Sequence, residues 1–98
     1  MPSLVSMAEP VGALLKERGQ TVAVSESAAG GLICAALLSV PGASNYFRGG
    51  ASVYTQTARR SLLRFDDTQA QMRGSTEEYA TLVATTMRGL METDWAIG

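Results

Sequence analysis

The chain has 98 residues, 46% hydrophobic and 17% charged, which suits one small globular domain and excludes a disordered chain. Eight Lys and Arg against nine Asp and Glu leave a net charge of −1, so there is no basic field to hold a nucleic-acid backbone. The lack of histidine excludes His-based triads and His-ligated metal sites, and no apolar run reaches the roughly 18 residues of a transmembrane helix.

The first predicted element is a helix over residues 3–18. Leu4, Met7, Ala8, Val11, Leu14 and Leu15 form one apolar stripe at helical spacing. Pro10 either kinks this helix near Glu9 or marks a second start at Glu9-Pro10. Gly19 after Lys16 and Arg18 is a stop signal. The opening MPSLVSMAEP has neither a basic segment nor a long apolar core, so no signal peptide is expected, and a cytoplasmic location is the default.

A short β-branched strand is expected at residues 21–24, followed by the polar turn Ser25-Glu26-Ser27 and small residues to Gly31. Residues 30–39 predict a helix with almost no polar face, hence buried on more than one side. It carries the single cysteine, Cys34, which has no disulfide partner in the chain and reads as a buried structural thiol in a reducing compartment. Pro41-Gly42 ends the helix. A second strand is predicted over 50–55, then a helix over 56–63 capped by Thr55. Residues 64–74 read as a polar loop, with Asp66-Asp67 a solvated turn and no metal site. Ser75 and Glu78 have the spacing of a capping box, opening a helix to about Met91. Trp95-Ala96-Ile97 is a third strand, at which the chain stops. The expected class is α/β, a three-layer α/β/α domain over 1–98 in the order α-β-α-β-α-α-β. The last part of its sheet is missing and is to be completed in a larger domain or by another chain.

In a βαβ unit polar groups collect at the carboxyl ends of the strands. The turn Glu26-Ser27-Ala28-Ala29-Gly30-Gly31 is a candidate cradle for an anionic or carbonyl ligand. The alternative is that Ser27 is an N-cap, the glycines allow tight packing and Glu26 makes a local hydrogen bond. Ser44 beside Asn45 is a nucleophile candidate or a turn hydroxyl, and as a nucleophile it needs a base other than His. Tyr54 would stack on a ring, donate its hydroxyl or pack in the core. Arg59 suits an anion or a carbonyl oxygen, or is a solvated helix residue.

Three stretches in order carry a resemblance: Glu26-Ser27-Ala28-Ala29-Gly30-Gly31, then Val40-Pro41-Gly42-Ala43-Ser44-Asn45-Tyr46-Phe47, then the strand ending Tyr54-Thr55-Gln56-Thr57-Ala58-Arg59. This series is similar to the C-terminal domain of the competence- and damage-inducible CinA family, whose wording is ESCTGG, V-PGSS-x-x-F and Y-S-N-x-x-K, over about residues 11–98. Gly74-Ser75-Thr76-Glu77 and Trp95-Ala96-Ile97-Gly98 resemble the family's later helix start and strand. The resemblance implies a PncC-type amidohydrolase that deamidates nicotinamide mononucleotide to nicotinate mononucleotide and ammonia. Carried over by position, Ser44 would be the nucleophile, Tyr54 its support and Arg59 the residue at the lysine position. Glu26 to Gly31 and Asn45 would bind ligand. It further implies a small-molecule pyridine nucleotide as partner. No cofactor, metal, nucleic acid or membrane is expected from the residues, and the uncovered last strand points to a homo-oligomer. Arg59 for lysine, Ala28-Ala29 for Cys-Thr and a chain ending before the G-I-A-G-P loop are departures. They set a non-catalytic nucleotide-binding or oligomerising module beside the enzyme reading.

Overall fold

The computed structural model describes residues 3–98. At its centre runs strand β1 (Val22–Glu26), buried at all five positions. Strands β2 (Phe47–Ser52) and β3 (Trp95–Ile97) pair with it on either side, both parallel, in the order β2-β1-β3. A parallel strand covered on both faces needs an apolar run and not an alternating one, which Val22-Ala23-Val24 supplies.

Alternate residues of β1 feed two cores. Val22 and Val24 pack with Ala8 and Leu15 of helix α1 (Leu4–Arg18), Leu37 of helix α2 (Leu32–Leu38) and Tyr46. Ala23 faces the other way, toward Leu63 of helix α3 (Gln56–Leu63) and Tyr79, Val83 and Met87 of helix α5 (Glu77–Met91). The three-layer α/β/α arrangement expected from the sequence is the one observed. A four-residue helix α4 (Asp67–Ala70) adds one element to the expected order.

Several boundaries move. α1 runs through Pro10 without a second start; it is capped by Ser3, whose hydroxyl accepts from the Ser6 N–H, and closed by Gly19 at φ +62°. Interior proline costs one backbone hydrogen bond, and Pro10 lies on the exposed side, where water takes the freed carbonyl. β1 extends to Glu26, so Ser25 and Glu26 belong to the strand and not to a turn. α2 begins only at Leu32, because Gly30 and Gly31 take φ of +63° and +95°. It is not buried on more than one side: only Leu37 is buried, while Leu32 and Leu38 are exposed. β2 ends at Ser52, three residues before the expected end. Its sequence FRGGAS has weak strand propensity, and its position is dictated by pairing with β1, from Val22 opposite Phe47 to Glu26 opposite Ser52. The register slips once, and Arg48 there donates to the Met91 and Glu92 carbonyls at the carboxyl end of α5.

The 64–74 segment is not a plain loop. Phe65 and Ala70 are buried and flank α4, where Asp66 and Gln69 form a capping box. α5 is capped by Thr76, whose hydroxyl accepts from the Tyr79 N–H, and not by Ser75, which takes φ +57°.

Gly50 shows how closely α2 lies on β2. A Cβ there would stand 2.9 Å from the Val24 carbonyl oxygen and collide with Cys34 Sγ. Gly50→Ala is therefore expected to lower unfolding free energy by about 1–3 kcal/mol, as overpacked cores do, in a urea titration. A neutral or stabilising result would mean that α2 lifts freely from the sheet.

Candidate functional site at the carboxyl ends of the strands

Parallel topology sorts the candidate residues to two ends of the sheet. The Val22 N–H donates to the Tyr46 carbonyl at the start of β1, and the Val53 N–H donates to the Glu26 carbonyl at its finish. Four strand residues separate these levels, about 13 Å at 3.3 Å per residue. Ser44 and Asn45 sit in a single 3₁₀ turn (Ala43–Asn45) before β2, hence at the amino ends. Asn45 Nδ2 donates back to the Gly42 carbonyl, and Ser44 is exposed. Tyr54, Arg59 and the turn after Glu26 lie at the carboxyl ends. A nucleophile and its base must be within hydrogen-bond reach, so the fold does not bring Ser44 together with Tyr54 and Arg59. Among the hydroxyls at their end, which include Ser52 and Thr55, Ser27 is exposed just beyond β1 and adjoins the turn.

Glu26 is buried, with both carboxylate oxygens engaged. Oε1 accepts from the Ile33 N–H at 2.9 Å and Oε2 from the Cys34 N–H at 2.8 Å. α2 has no side-chain cap of its own, since its cap position is Gly31. Glu26 supplies that function from the preceding strand, with its charge at the positive end of the helix. Burial raises its carboxyl pKa, but the hydrogen bonds from Cys34 and Ile33 outweigh burial and hold it below the ordinary 4.5. Burial first and the neighbouring Glu26 carboxylate next push the Cys34 thiol up to about 12, which removes it as a nucleophile.

Between Glu26 and α2, Ala28 is exposed and Ala29 half-buried. The Gly30 N–H donates to the Ser27 carbonyl and the Leu32 N–H to the Ala29 carbonyl. The N–H groups of Ala28 and Ala29 have no protein acceptor among the described residues. An open turn with free backbone donors beside a serine hydroxyl suits a carbonyl oxygen or an anion.

Arg59 is not a solvated helix residue. One guanidinium nitrogen donates to the carbonyls of Ala70 at 2.9 Å and Met72 at 2.7 Å, and the group lies 4.1 Å from the centre of the Tyr79 ring. Its Nε is buried without a partner. The arginine thus binds the 70–72 backbone to the site wall. Tyr54 is 75% exposed and is neither a core residue nor part of a closed pocket.

One residue not singled out for the site in the sequence, Tyr79, belongs here. Tyr79 and Ser25 line a cleft of about 50 Å³ with Glu26, Ser27 and Gly98. Burial raises the Tyr79 phenol pKa, partly offset by the Arg59 charge. The available signal was positional: Tyr79 is three residues past the cap of the helix that precedes a parallel strand, so it must lie at the carboxyl end of the sheet. Among the described residues no cluster of potential metal ligands exists, and no helix is long and apolar enough to cross a membrane.

The CinA C-terminal domain model matches residues 4–98. The chain is 41% identical over 93 residues to a CinA-like protein of Synechocystis sp., covering 94% of this chain and 22% of that protein. With a CinA-like protein of Sulfurihydrogenibium sp. the identity is 36%, covering 95% and 24%. Among solved structures, a competence-damaged protein (CinA) superfamily member from Klebsiella pneumoniae superposes with a TM-score of 0.86 at 23% identity, over 97% of this chain and 60% of that one. A competence/damage inducible protein from Agrobacterium tumefaciens gives 0.86 at 24%, over 98% and 59%. The chain thus spans less than a quarter of the curated relatives and about three-fifths of the solved chains.

The Glu26 joint carries a pH dependence of defined sign. Its folded pKa lies below the unfolded value, so its contribution is complete above about pH 4.5 and is lost as pH falls through the folded pKa. Glu26→Gln is expected to cost about 1–3 kcal/mol at pH 7 and to flatten the acid limb of a stability–pH curve. An acid limb unchanged in the variant would show that another carboxylate carries it.

Proposed function

The chain belongs to the CinA C-terminal domain family, and from that premise we propose that it acts on the amide of a pyridine mononucleotide. Nicotinamide mononucleotide would lie across the carboxyl ends of β1 and β2, releasing ammonia and leaving nicotinate mononucleotide. The observation that carries this reading is that Ser27, Tyr54 and the free Ala28 and Ala29 N–H groups share one end of the sheet. The 50 Å³ cleft is far too small for a nucleotide but admits the amide end, with the sugar and phosphate on the open shelf outside.

In this reading Ser27 Oγ attacks the amide carbon and gives up its proton. The turn N–H groups hold the oxyanion, a proton passes to the departing nitrogen, and ammonia leaves an acyl-serine that water hydrolyses. Tyr54 relays the proton. Arg59 stands where the family has lysine; it stays protonated and cannot act as base, so turnover is slow. A second reading, a nucleotide-binding module without turnover, draws on the same arginine, whose guanidinium is already occupied by two backbone carbonyls. The single cysteine, without a disulfide partner in the chain, fits a cytoplasmic setting.

Ammonia release from nicotinamide mononucleotide by the purified chain tests both. Ser27→Ala should abolish it, whereas Ser44→Ala should leave it within about twofold, since Ser44 lies at the far end of the sheet. Equal rates in wild type and Ser27→Ala would overturn the amidase reading. Calorimetric binding without ammonia would select the second. Arg59→Lys should raise turnover on the order of 10²-fold if a base is what the site lacks.

A further inference from the structure

Two buried hydroxyls in the cleft beside Ser27 have no partner in the fold. Ser25 is 5% and Tyr79 9% exposed. Ser25 lies two residues after Ala23, on the α5 face of β1, and Tyr79 lines the same cleft from α5. Among the described residues the only sealed-off side-chain polar atom without a partner is Arg59 Nε. Ser25 Oγ and Tyr79 Oη, with no protein partner there either, therefore open onto the cleft. The other buried tyrosine behaves differently: Tyr46 Oη donates to the Leu37 carbonyl at 2.7 Å. Buried polar groups are normally paired, so the two cleft hydroxyls are free to bond what enters.

The cleft offers no counter-charge to an anion. No Lys or Arg lines it, and its one charged side chain is Glu26, ionised at neutral pH. Arg59 lies against the Tyr79 ring but outside the lining, with Nη1 held by the Ala70 and Met72 carbonyls. Burial keeps the Tyr79 phenol protonated at neutral pH. A hydroxyl both donates and accepts. Two of them can donate to the oxygen of a carboxamide and accept from its NH2 group. A carboxylate only accepts, and it would carry a full charge into a space without a cation, which burial penalises.

We propose that Ser25 and Tyr79 select an uncharged primary carboxamide over its carboxylate, one hydroxyl donating to the amide oxygen and the other accepting from the amide nitrogen. This rests on the reading that the amide end of a pyridine mononucleotide occupies the cleft. It adds a direction: the amide is drawn in, and the acid left after hydrolysis is expelled. A purely structural role for the two residues predicts the opposite response to mutation. A buried hydroxyl without a partner does not hold the free fold together, so its removal is neutral or stabilising. Tyr79→Phe keeps the ring against Arg59 and Phe65, and Ser25→Ala leaves the strand backbone as it is.

Calorimetric titration of the full chain carrying Ser27→Ala, which keeps the amide unconverted, tests this. At pH 7 nicotinamide mononucleotide should bind at least about tenfold more tightly than nicotinate mononucleotide. In the same background Tyr79→Phe and Ser25→Ala should each weaken amide binding about fivefold. Binding of the acid should stay within about twofold, since it does not enter the cleft. The melting temperature of the free chain should be equal or higher in both variants. Should one variant fail to fold, the other decides. Equal or tighter binding of the acid overturns the proposal. So does amide affinity that neither variant changes, or affinity lost together with a lower melting temperature. Binding of neither ligand defeats the occupancy reading and this proposal with it. Selective binding without ammonia release from the wild-type chain upholds the selectivity and defeats only the amidase reading.

Discussion

The buried carboxylate of Glu26 is the joint on which the rest depends. It terminates the central strand and, through the Ile33 and Cys34 N–H groups, fixes where the next helix begins. A helix start buried without partners leaves orphan donors at a cost of about 1–3 kcal/mol each. Here the glycines between strand and helix supply no side chain to cap it. A carboxylate reaching forward from the strand solves this without a capping side chain in the turn itself. With the helix end satisfied by Glu26, the Ala28 and Ala29 N–H groups are left without a protein acceptor among the described residues.

That joint also explains why the core is divided. β1 is two-sided, and each face of a three-stranded sheet is narrow. One face carries Val22 and Val24 against α1 and α2, the other Ala23 against α5. A small residue on the α5 side lets that helix approach closely, and Tyr79, Val83 and Met87 fill the space. On the α1 side the valines meet Ala8 and Leu15 of α1 and Leu37 of α2. Met7, Val11 and Leu14 of the α1 stripe stay half in water.

Much of this was legible in the residues, and the failures have physical causes. The layer order followed from alternating strand and helix patterns. Thr55 was readable as a cap because its hydroxyl stands just before a run of helix formers, and it does accept from the Ala58 N–H. β2 was misplaced because Arg48-Gly49-Gly50 has no strand propensity; only its partner β1 makes it a strand. The α4 capping box was hidden in what looked like a polar loop, since Phe65 and Ala70 anchor it through tertiary burial. Thr76 and Ser75 are equally good caps in sequence, and only backbone geometry separates them. Position in space was the least legible feature. Ser44 and Tyr54 are ten residues apart in the chain, yet the strand between them carries one to each end of the sheet. A motif read along the chain contains no record of that direction until the strand is placed.

Arg59 shows why a one-residue departure from a family's wording can change more than one function. A lysine at this position offers a single ammonium that can lose its proton when desolvated. An arginine offers a planar fork, and the fold uses it as such: two carbonyls of the 70–72 segment on one nitrogen, the Tyr79 ring beneath its face. The guanidinium therefore adds a wall to the candidate site, and in the proposed amidase chemistry it stands where a lysine would act as base. Its buried Nε, without a partner, costs the fold a share of what those contacts contribute. Such an unsatisfied donor is tolerated where the remaining contacts over-determine the side chain's place. The wall segment and the stacked tyrosine are thus tied to one residue, and the site's shape and its proton chemistry cannot be varied independently at position 59.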